Sequence, residues 1–414
     1  MPIPDLPILP DDDSLLSKKF GRETANYFSG SPLNRLSFLR TDHAFLQSAF
    51  SHPSAAFLLM NNLSPLVGTD SSNLAFVPTA DVLPLTGPEP FVKTEEELIR
   101  DFNSEETHPV ILFLGVDEKN RLPSHNVGVP EEFVYKNYKG SPYFAIDITP
   151  RGSFAAAANA LIAAVQERGY SFHDNSPRHM GLHAGQAATY GQARALMDWN
   201  ARNPFCAQCG QRTLSVNAGT KRVCPPTDLA SGTRVDRKPC ATRGTISNLS
   251  FPRTDPTVIM AVVNADGTKI LLGRQRRWPK YWYSTLAGFQ EPGESIEEAV
   301  RREVWEESGV HLGRVVLHSS QPWPFPASLM IGAVGQALPG EGETIYLGND
   351  AELESAKWFP LDEVREALLK GTSNLGEAAP EGYVEGALRL PPQTAIANRL
   401  ITAVVDGWWV SPRM

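Results

Sequence analysis

No stretch of about 18 consecutive apolar residues occurs in this 414-residue chain, so no transmembrane helix is expected. A surplus of positive charge is also missing. There are 38 lysine and arginine residues against 46 aspartate and glutamate residues, a net charge of −8. That balance excludes a global field drawing the protein to nucleic acid or a membrane surface, and leaves only local basic patches. The amino terminus, MPIPDLPILPDDDSLLSKKF, is acidic early and has no long apolar core, which argues against a secretory signal. An intracellular, reducing compartment is therefore expected. Cysteine is scarce: Cys206, Cys209, Cys224 and Cys240 are the whole set, all within one short window. In a reducing compartment such clustering suggests metal rather than disulfides. No convincing internal repeat is visible.

An apolar fraction of 42% and a charged fraction of 20% describe an ordinary globular protein, long enough for two or three cores. Three segments are expected: 1–199, 200–250 and 251–414. In the first, HPVILFLGVD and SPYFAIDITP read as strands. FAAAANALIAAVQERG reads as a helix ended by Gly169, and GLHAGQAATYGQARALMDWNARNP as a second helical stretch stopped before Pro204. PLVGTDSSNLAFVPTADVLPLTGPEP reads as loop with short strands. The second segment is too poor in apolar residues to build a core alone and needs a staple. In the third, PTVIMAVVN-ADGT-KILLG reads as a hairpin and RVVLHSSQPWPFPASLMIGAVGQAL as strands joined by a Pro-rich loop. LDEVREALLKG and TAIANRLITAVVDGWW read as late helices. Strand and helix alternate without a clean parallel pattern, which favours an α+β sandwich.

The chemistry concentrates in GFQEPGESIEEAVRREVWEESGV, Gly288 to Val310. On a helix capped by Ser295 and ended by Gly309, Glu303, Glu306 and Glu307 stand at i, i+3 and i+4 and share one face. Ile296, Val300 and Val304 form an apolar stripe for burial. Convergent carboxylates suit a hard divalent ion such as Mg²⁺ or Mn²⁺, which bridges to phosphates. Acid spacing alone leaves a solvated acidic helix as the alternative.

The full pattern goes further. Gly288, five residues, Glu294, seven residues, then Arg302-Glu303-Val304-Trp305-Glu306-Glu307-Ser308-Gly309-Val310 resembles the complete Nudix box. The resemblance implies hydrolysis of a diphosphate linked to another moiety, on an α/β/α sandwich. It further implies that Glu303 and Glu307 bind divalent metal, that Glu306 shares in this, and that Arg302 orients the carboxylates. The carbonyl of Ala287 is the further metal ligand expected of close relatives.

Ser320 to Ser328, SQPWPFPAS, is a stiff loop displaying aromatic faces, which on its own reads as a structural crossover. Following the box, it resembles the SQPWPFPxS element of the NADH pyrophosphatase subfamily, of the eukaryotic peroxisomal type. FPRTDPTVI, PPQTAIANRLI, FSGSPLNRLSFLR and Glu352 in AELESAKWFP extend the resemblance over most of the chain. It implies cleavage of NADH to reduced nicotinamide mononucleotide and AMP, with NAD⁺ as a further substrate. The implied substrate-binding residues are Phe251, Gln321, Pro322, Trp323, Pro324, Phe325, Pro326, Ala327, Ser328 and Ala397. Phe289 is the residue placed to stack on a ring, and Glu352 is a further metal ligand. A homodimer is implied as well.

Cys206-x-x-Cys209 is half of a zinc knuckle, and the four cysteines can close a tetrahedral structural Zn²⁺ site. The subfamily carries a zinc ribbon here with a short last gap. This chain has fifteen residues between Cys224 and Cys240. The terminal Pro412-Arg413-Met414 loosely resembles a peroxisomal tripeptide, so peroxisome or cytoplasm is expected. Three rivals remain: an enzyme that decaps NAD-linked RNA, whose basic candidates are GTKRV and RVDRK, a hydrolase of another nucleoside diphosphate derivative, and a non-catalytic NAD sensor. Intact Arg302, Glu303, Glu306 and Glu307 argue against the sensor.

Overall fold

The computed structural model describes residues 5–7, 24–119, 122, 132–173, 181–244, 248–291, 294–349 and 352–407. Trp408, Trp409, Pro412, Arg413, Met414 and most of the amino-terminal stretch read above for a signal lie outside the described residues. Two compact units emerge. The first comprises Ser31–Arg253 and Pro324–Ala327; the second comprises Thr254–Trp323, Ser328–Met414 and Asp5–Gly30, in so far as these are described. No helix among the described residues is long and apolar enough to cross a membrane.

The first unit begins with α1 (His43–Ser51), whose Asp42 side chain accepts from the Phe45 amide as an N-cap. Its sheet contains β1 (Ala56–Asn61), β2 (Ser64–Val67), β3 (Phe76–Val77), β4 (Ile111–Asp117), β5 (Phe133–Tyr135), β6 (Tyr138–Asp147) and β7 (Ser171–Phe172). The order is β4-β6-β1-β2-β7, with β3 paired to β1 and β5 to β6. β1 and β6 run parallel; the other pairs run antiparallel. Between β3 and β4 lie α2 (Thr79–Thr86) and α3 (Glu95–Arg100). α2 corrects the expectation of loop there. Pro84 sits inside it, yet Val82 and Leu85 bury against the core, so packing outweighs the lost hydrogen bond over a short span. α4 (Ala155–Glu167) and α5 (Ala184–Arg202) agree with the two expected helical stretches. The cysteine segment follows as two small hairpins, β8 (Leu214–Val216) with β9 (Lys221–Val223) and β10 (Thr227–Asp228) with β11 (Val235–Asp236).

The second unit is built on β12 (Asp255–Val263), β13 (Lys269–Gln275), β14 (Leu286–Phe289), β15 (Leu312–Trp323), β16 (Ser328–Ala337) and β17 (Leu353–Pro360). The order is β15-β16-β12-β13-β17, with β14 paired to β12. β12 and β16 run parallel, from Asp255 against Ser328 to Val263 against Gln336. Successive side chains of β12 point to opposite faces. Val258, Met260 and Val262 pack with Ala299, Val300 and Val304 of α6 (Ile296–Ser308). Ile259, Ala261 and Val263 pack on the other face with α7 (Leu361–Lys370) and α8 (Ile396–Val405). Helices therefore cover both faces, which is the expected α/β/α sandwich.

The two sheets share one connectivity. In each, an antiparallel hairpin is flanked by a third strand, a parallel partner and an outer antiparallel pair. β1, β2, β3, β4, β6 and β7 correspond to β12, β13, β14, β15, β16 and β17. The fold repeats even though the sequence shows no repeat.

α6 starts and stops as its sequence dictates. Ser295 and Glu298 form a reciprocal capping box, and Gly309 ends the helix at φ 73°. A Cβ on Gly309 would lie 2.8 Å from Tyr346 Cβ and 2.9 Å from its amide nitrogen. Gly309→Ala is therefore expected to destabilise the chain by about 1–3 kcal/mol, measured by urea denaturation. An unchanged midpoint would show that the turn relaxes freely.

Candidate active site and metal centre

The helix α6 and the strand β14 bring the carboxylates together. Arg302 is their hub. Its Nε and Nη2 donate to Glu294 at 2.6 and 2.9 Å, a bidentate pair. Nη1 donates to Glu303 and to Glu306, each at 2.9 Å, and Nη2 also reaches the Phe289 carbonyl at 2.9 Å. Hydrogen bonding to Glu294, more than any other contact, holds the guanidinium more firmly protonated than usual. The same bond holds the Glu294 carboxyl below its ordinary range. Glu294 was read in the sequence only as a position in the spacing; the structure makes it the counter-ion of Arg302.

Glu303 lies under Gly288. A Cβ on that glycine would fall 2.0 Å from Glu303 Cδ, so the carboxylate occupies the space a side chain would fill. Burial pushes the Glu303 carboxyl above its usual range. Arg302 pulls it back, and the like charges of Glu306 and Glu352 push it up again. Glu352, one residue before β17, accepts from Gln275 Nε2 at 2.6 Å. Glu307 is only 4% exposed. Ala287 and Gly288 pair with Ile259 and Val258 across the β14–β12 ladder. These carboxylates, from buried Glu307 through half-buried Glu303 and Glu306 to exposed Glu352, offer hard oxygen donors with surplus negative charge, and a divalent cation would neutralise it. The residues thus fit the ion that their spacing suggested.

The residues read as substrate-binding are divided between the two units. Phe289 is 62% exposed, and its carbonyl accepts from Arg302. Phe251 is also exposed but belongs to the first unit. Gln321 is buried and its amide is committed: Nε2 donates to the carbonyls of Tyr27 (3.0 Å) and Thr394 (2.8 Å), and Oε1 accepts from the Ile396 amide (2.9 Å). Ala397 is buried within the core under α8. Pro322 and Trp323 end β15, and Ser328 opens β16 with its side chain buried. Pro324, Phe325, Pro326 and Ala327 pack with the first unit, where Arg194 of α5 donates to the Pro324 carbonyl. The Arg194 guanidinium also lies 4.3 Å from the Phe325 ring centroid.

Sequence reading missed these supports. Asn26 Nδ2 donates to Ser319 Oγ (3.0 Å) and to the Ser320 carbonyl (2.9 Å), and Phe28 meets Trp323 edge-on at 6.2 Å. Their sequence neighbourhood carries no periodic signal for such contacts.

The four cysteine sulfurs converge. All lie within 4.8 Å of one another, with Cys206 and Cys240 at 3.6 Å and Cys209 and Cys224 at 3.5 Å. A tetrahedral thiolate site with metal–sulfur bonds near 2.3 Å needs sulfur separations of about 3.8 Å. The long gap before Cys240 therefore closes onto the same point. Arg243 braces it, donating to the Cys224 carbonyl (2.9 Å) and lying 3.4 Å from its sulfur. Burial pushes the Cys224 thiol up to about 12. At Cys240 burial opposes ionisation, but bonds from Thr242 and from Cys206 and Cys209 outweigh it and hold the thiol down to about 6.

Three family models match the chain. Residues 253–381 match the NUDIX domain, residues 54–199 the NADH pyrophosphatase-like rudimentary NUDIX domain, and residues 201–231 the NADH pyrophosphatase zinc ribbon domain. Cys240 lies beyond the last of these. The chain is 34% identical to an NAD-capped RNA hydrolase of Schizosaccharomyces pombe, over 96% of this chain and 98% of that one. It is 33% identical to an NAD-capped RNA hydrolase of Saccharomyces cerevisiae, over 92% and 96%. It is 32% identical to a mitochondrial NAD(P)H pyrophosphatase of Homo sapiens, over 85% of each.

Two outcomes are expected. Gly288→Ala moves the flexible Glu303 carboxylate and little else, so divalent-cation affinity should fall by about 10- to 100-fold with folding intact. Titration of Mn²⁺ by electron paramagnetic resonance measures it, and unchanged affinity would detach Glu303 from the ion. Elemental analysis should find about one equivalent of thiolate-bound metal per chain. Cys240→Ser should lose most of it, and full retention would place the fourth ligand elsewhere.

Proposed function

The chain belongs to the Nudix hydrolase family and is an enzyme of that family, and from this premise we propose that it hydrolyses the diphosphate of NADH, and of NAD⁺. The products from NADH are reduced nicotinamide mononucleotide and AMP. The observation that carries the reading is the carboxylate cluster held by Arg302 under Gly288, with Glu307 buried beside it. The similarity to an NAD(P)H pyrophosphatase supports the choice of substrate.

Glu303, Glu306, Glu307, Glu352 and the Ala287 carbonyl hold Mg²⁺ or Mn²⁺ in this reading, and the four cysteines hold Zn²⁺. When bound, Mg²⁺ or Mn²⁺ neutralises the diphosphate and makes water a better nucleophile. Arg302 spends its donors on Glu294, Glu303 and Glu306, so it fixes the carboxylates rather than the substrate. Glu303 Oε1 accepts from Arg302, which fixes the orientation of the remaining oxygen. The exposed Phe289 ring stacks on the nicotinamide or the base. Gln321 and Ala397 act from behind, by setting the start of the aromatic loop and the seat of α8. Phe251, Pro322, Trp323 and Pro324–Ser328 complete the substrate surface in a homodimer.

A second reading has its own support. Two of the relatives described above are NAD-capped RNA hydrolases. The bond cleaved is the same, so the readings differ only in what hangs from the adenosine.

Purified protein with Mg²⁺ or Mn²⁺ in ¹⁸O-labelled water is expected to release AMP and reduced nicotinamide mononucleotide from NADH. Glu307→Gln should lose more than the roughly 10- to 100-fold typical of removing a group that only orients a ligand, with its melting temperature kept. Faster cleavage of a short NAD-capped RNA than of NADH would favour the second reading. Normal turnover by Glu307→Gln would overturn the site assignment.

A further inference from the structure

The shared connectivity of the two sheets identifies a site in the first unit. In the second sheet, the segment between β14 and β15 carries α6 and its carboxylates. The corresponding segment of the first sheet runs from β3 to β4, residues 78–110. It forms one wall of a cavity of about 710 Å³, within the range of small-molecule sites. The cysteine segment and the end of α5 form the opposite wall. Where the second unit gathers glutamates, this cavity gathers arginines.

Arg212 and Arg222 both line it. Arg222 donates to Thr213 Oγ1 (2.7 Å), the Thr213 carbonyl (3.1 Å), Asn200 Oδ1 (3.0 Å) and the Asn200 carbonyl (3.4 Å), all neutral acceptors. Arg212 lies over the Phe205 ring at 5.2 Å. Among the described residues, no carboxylate pairs with either guanidinium. Among the other charged groups of the lining, Lys93 pairs with Asp101 at 3.1 Å and Arg151 with Asp147 at 2.7 Å; Glu106 lies 3.4 Å from the His108 ring, an ion pair only when that histidine is protonated. Two guanidiniums without a carboxylate partner thus share one cavity in a chain of net charge −8. They match the two negative charges of a phosphate monoester.

A second observation points to a ligand. Asn217 lines the same cavity, is 8% exposed, and its buried Oδ1 has no hydrogen-bond partner. The turn between β8 and β9 holds Asn217 at φ 52°, which fixes where that oxygen sits. A buried acceptor without a donor is costly and calls for one. Leu85, Phe91, Leu98 and Pro109 supply apolar surface on the facing wall.

We propose that this cavity is a second ligand site, and that it takes a nucleoside monophosphate. The phosphate meets Arg212 and Arg222, an amino or hydroxyl group donates to Asn217 Oδ1, and the base lies against the apolar wall. Among the described residues, the acids of this lining form no metal-holding group, so the site binds and does not hydrolyse. The inference stands on the cavity alone and does not depend on which diphosphate the second unit cleaves.

Photolabelling of the full metal-loaded chain with 8-azido-AMP, followed by peptide mapping, tests it. Label is expected in peptides covering residues 85–110 or 212–222, displaced by AMP and much less by inorganic phosphate or adenosine. Arg222 also clasps Asn200 and Thr213, so its removal risks the fold. Asn217→Asp tolerates the left-handed turn and sets a negative charge at the orphaned acceptor; Arg212→Gln removes one cation. Each should reduce labelling of those peptides at least about tenfold, with cysteine-bound metal and melting temperature unchanged. Label confined to residues 254–407 would overturn the site. Equal displacement by inorganic phosphate would overturn the nucleoside class, and labelling unaffected by either variant would overturn the assigned residues.

Discussion

One guanidinium makes the carboxylate cluster possible. Glu303 and Glu306 project from the same helix, and like charges so placed repel. Arg302 answers by donating to both while its other edge grips Glu294 and the Phe289 carbonyl. The arginine therefore ties α6 to the end of β14 and to the loop between them. Its fork geometry suits this task; a lysine would supply charge without the bidentate hold on Glu294. What remains unbalanced after Arg302 is a net negative pocket, whose oxygen donors suit a hard cation.

Backbone constraints complete the arrangement. Gly288 has no side chain, so Glu303 can lie directly against β14. The capping box at Ser295 and the left-handed turn at Gly309 fix both ends of α6. Val300 and Val304 fasten its opposite face to Val258, Met260 and Val262. Chemistry and core packing are thus two faces of one helix, and the alternation of β12 supplies a second core beneath α7 and α8.

The same connectivity serves two purposes. In the second unit the segment after the third strand becomes a helix of carboxylates. In the first it becomes α2, α3 and a cavity wall, with the cysteine segment laid over it. That segment has little core of its own, and the convergence of four sulfurs supplies the staple its composition requires. Lys221 of β9 pairs with Glu95 of α3 at 2.6 Å, a further tie between ribbon and sheet.

The sequence by itself determined the reaction class and the local elements. Helix α6, its caps, its apolar stripe and its acidic face follow from spacings set by the helical period, and β12 and β13 follow from short-range alternation and a Gly-containing turn. The cysteine cluster was legible as a candidate metal site for a similar reason: its first two members are neighbours in the chain. Tertiary structure alone decided the rest. The distance over which Cys240 returns, the burial of Gln321 behind the aromatic loop, the brace from Asn26 and the grip of Arg194 on Phe325 join residues far apart in sequence, and no local period records such contacts. The repeat of one sheet in the other was hidden as well. Strand connectivity is preserved by which positions are buried and how they pair, and many different residues satisfy that requirement equally.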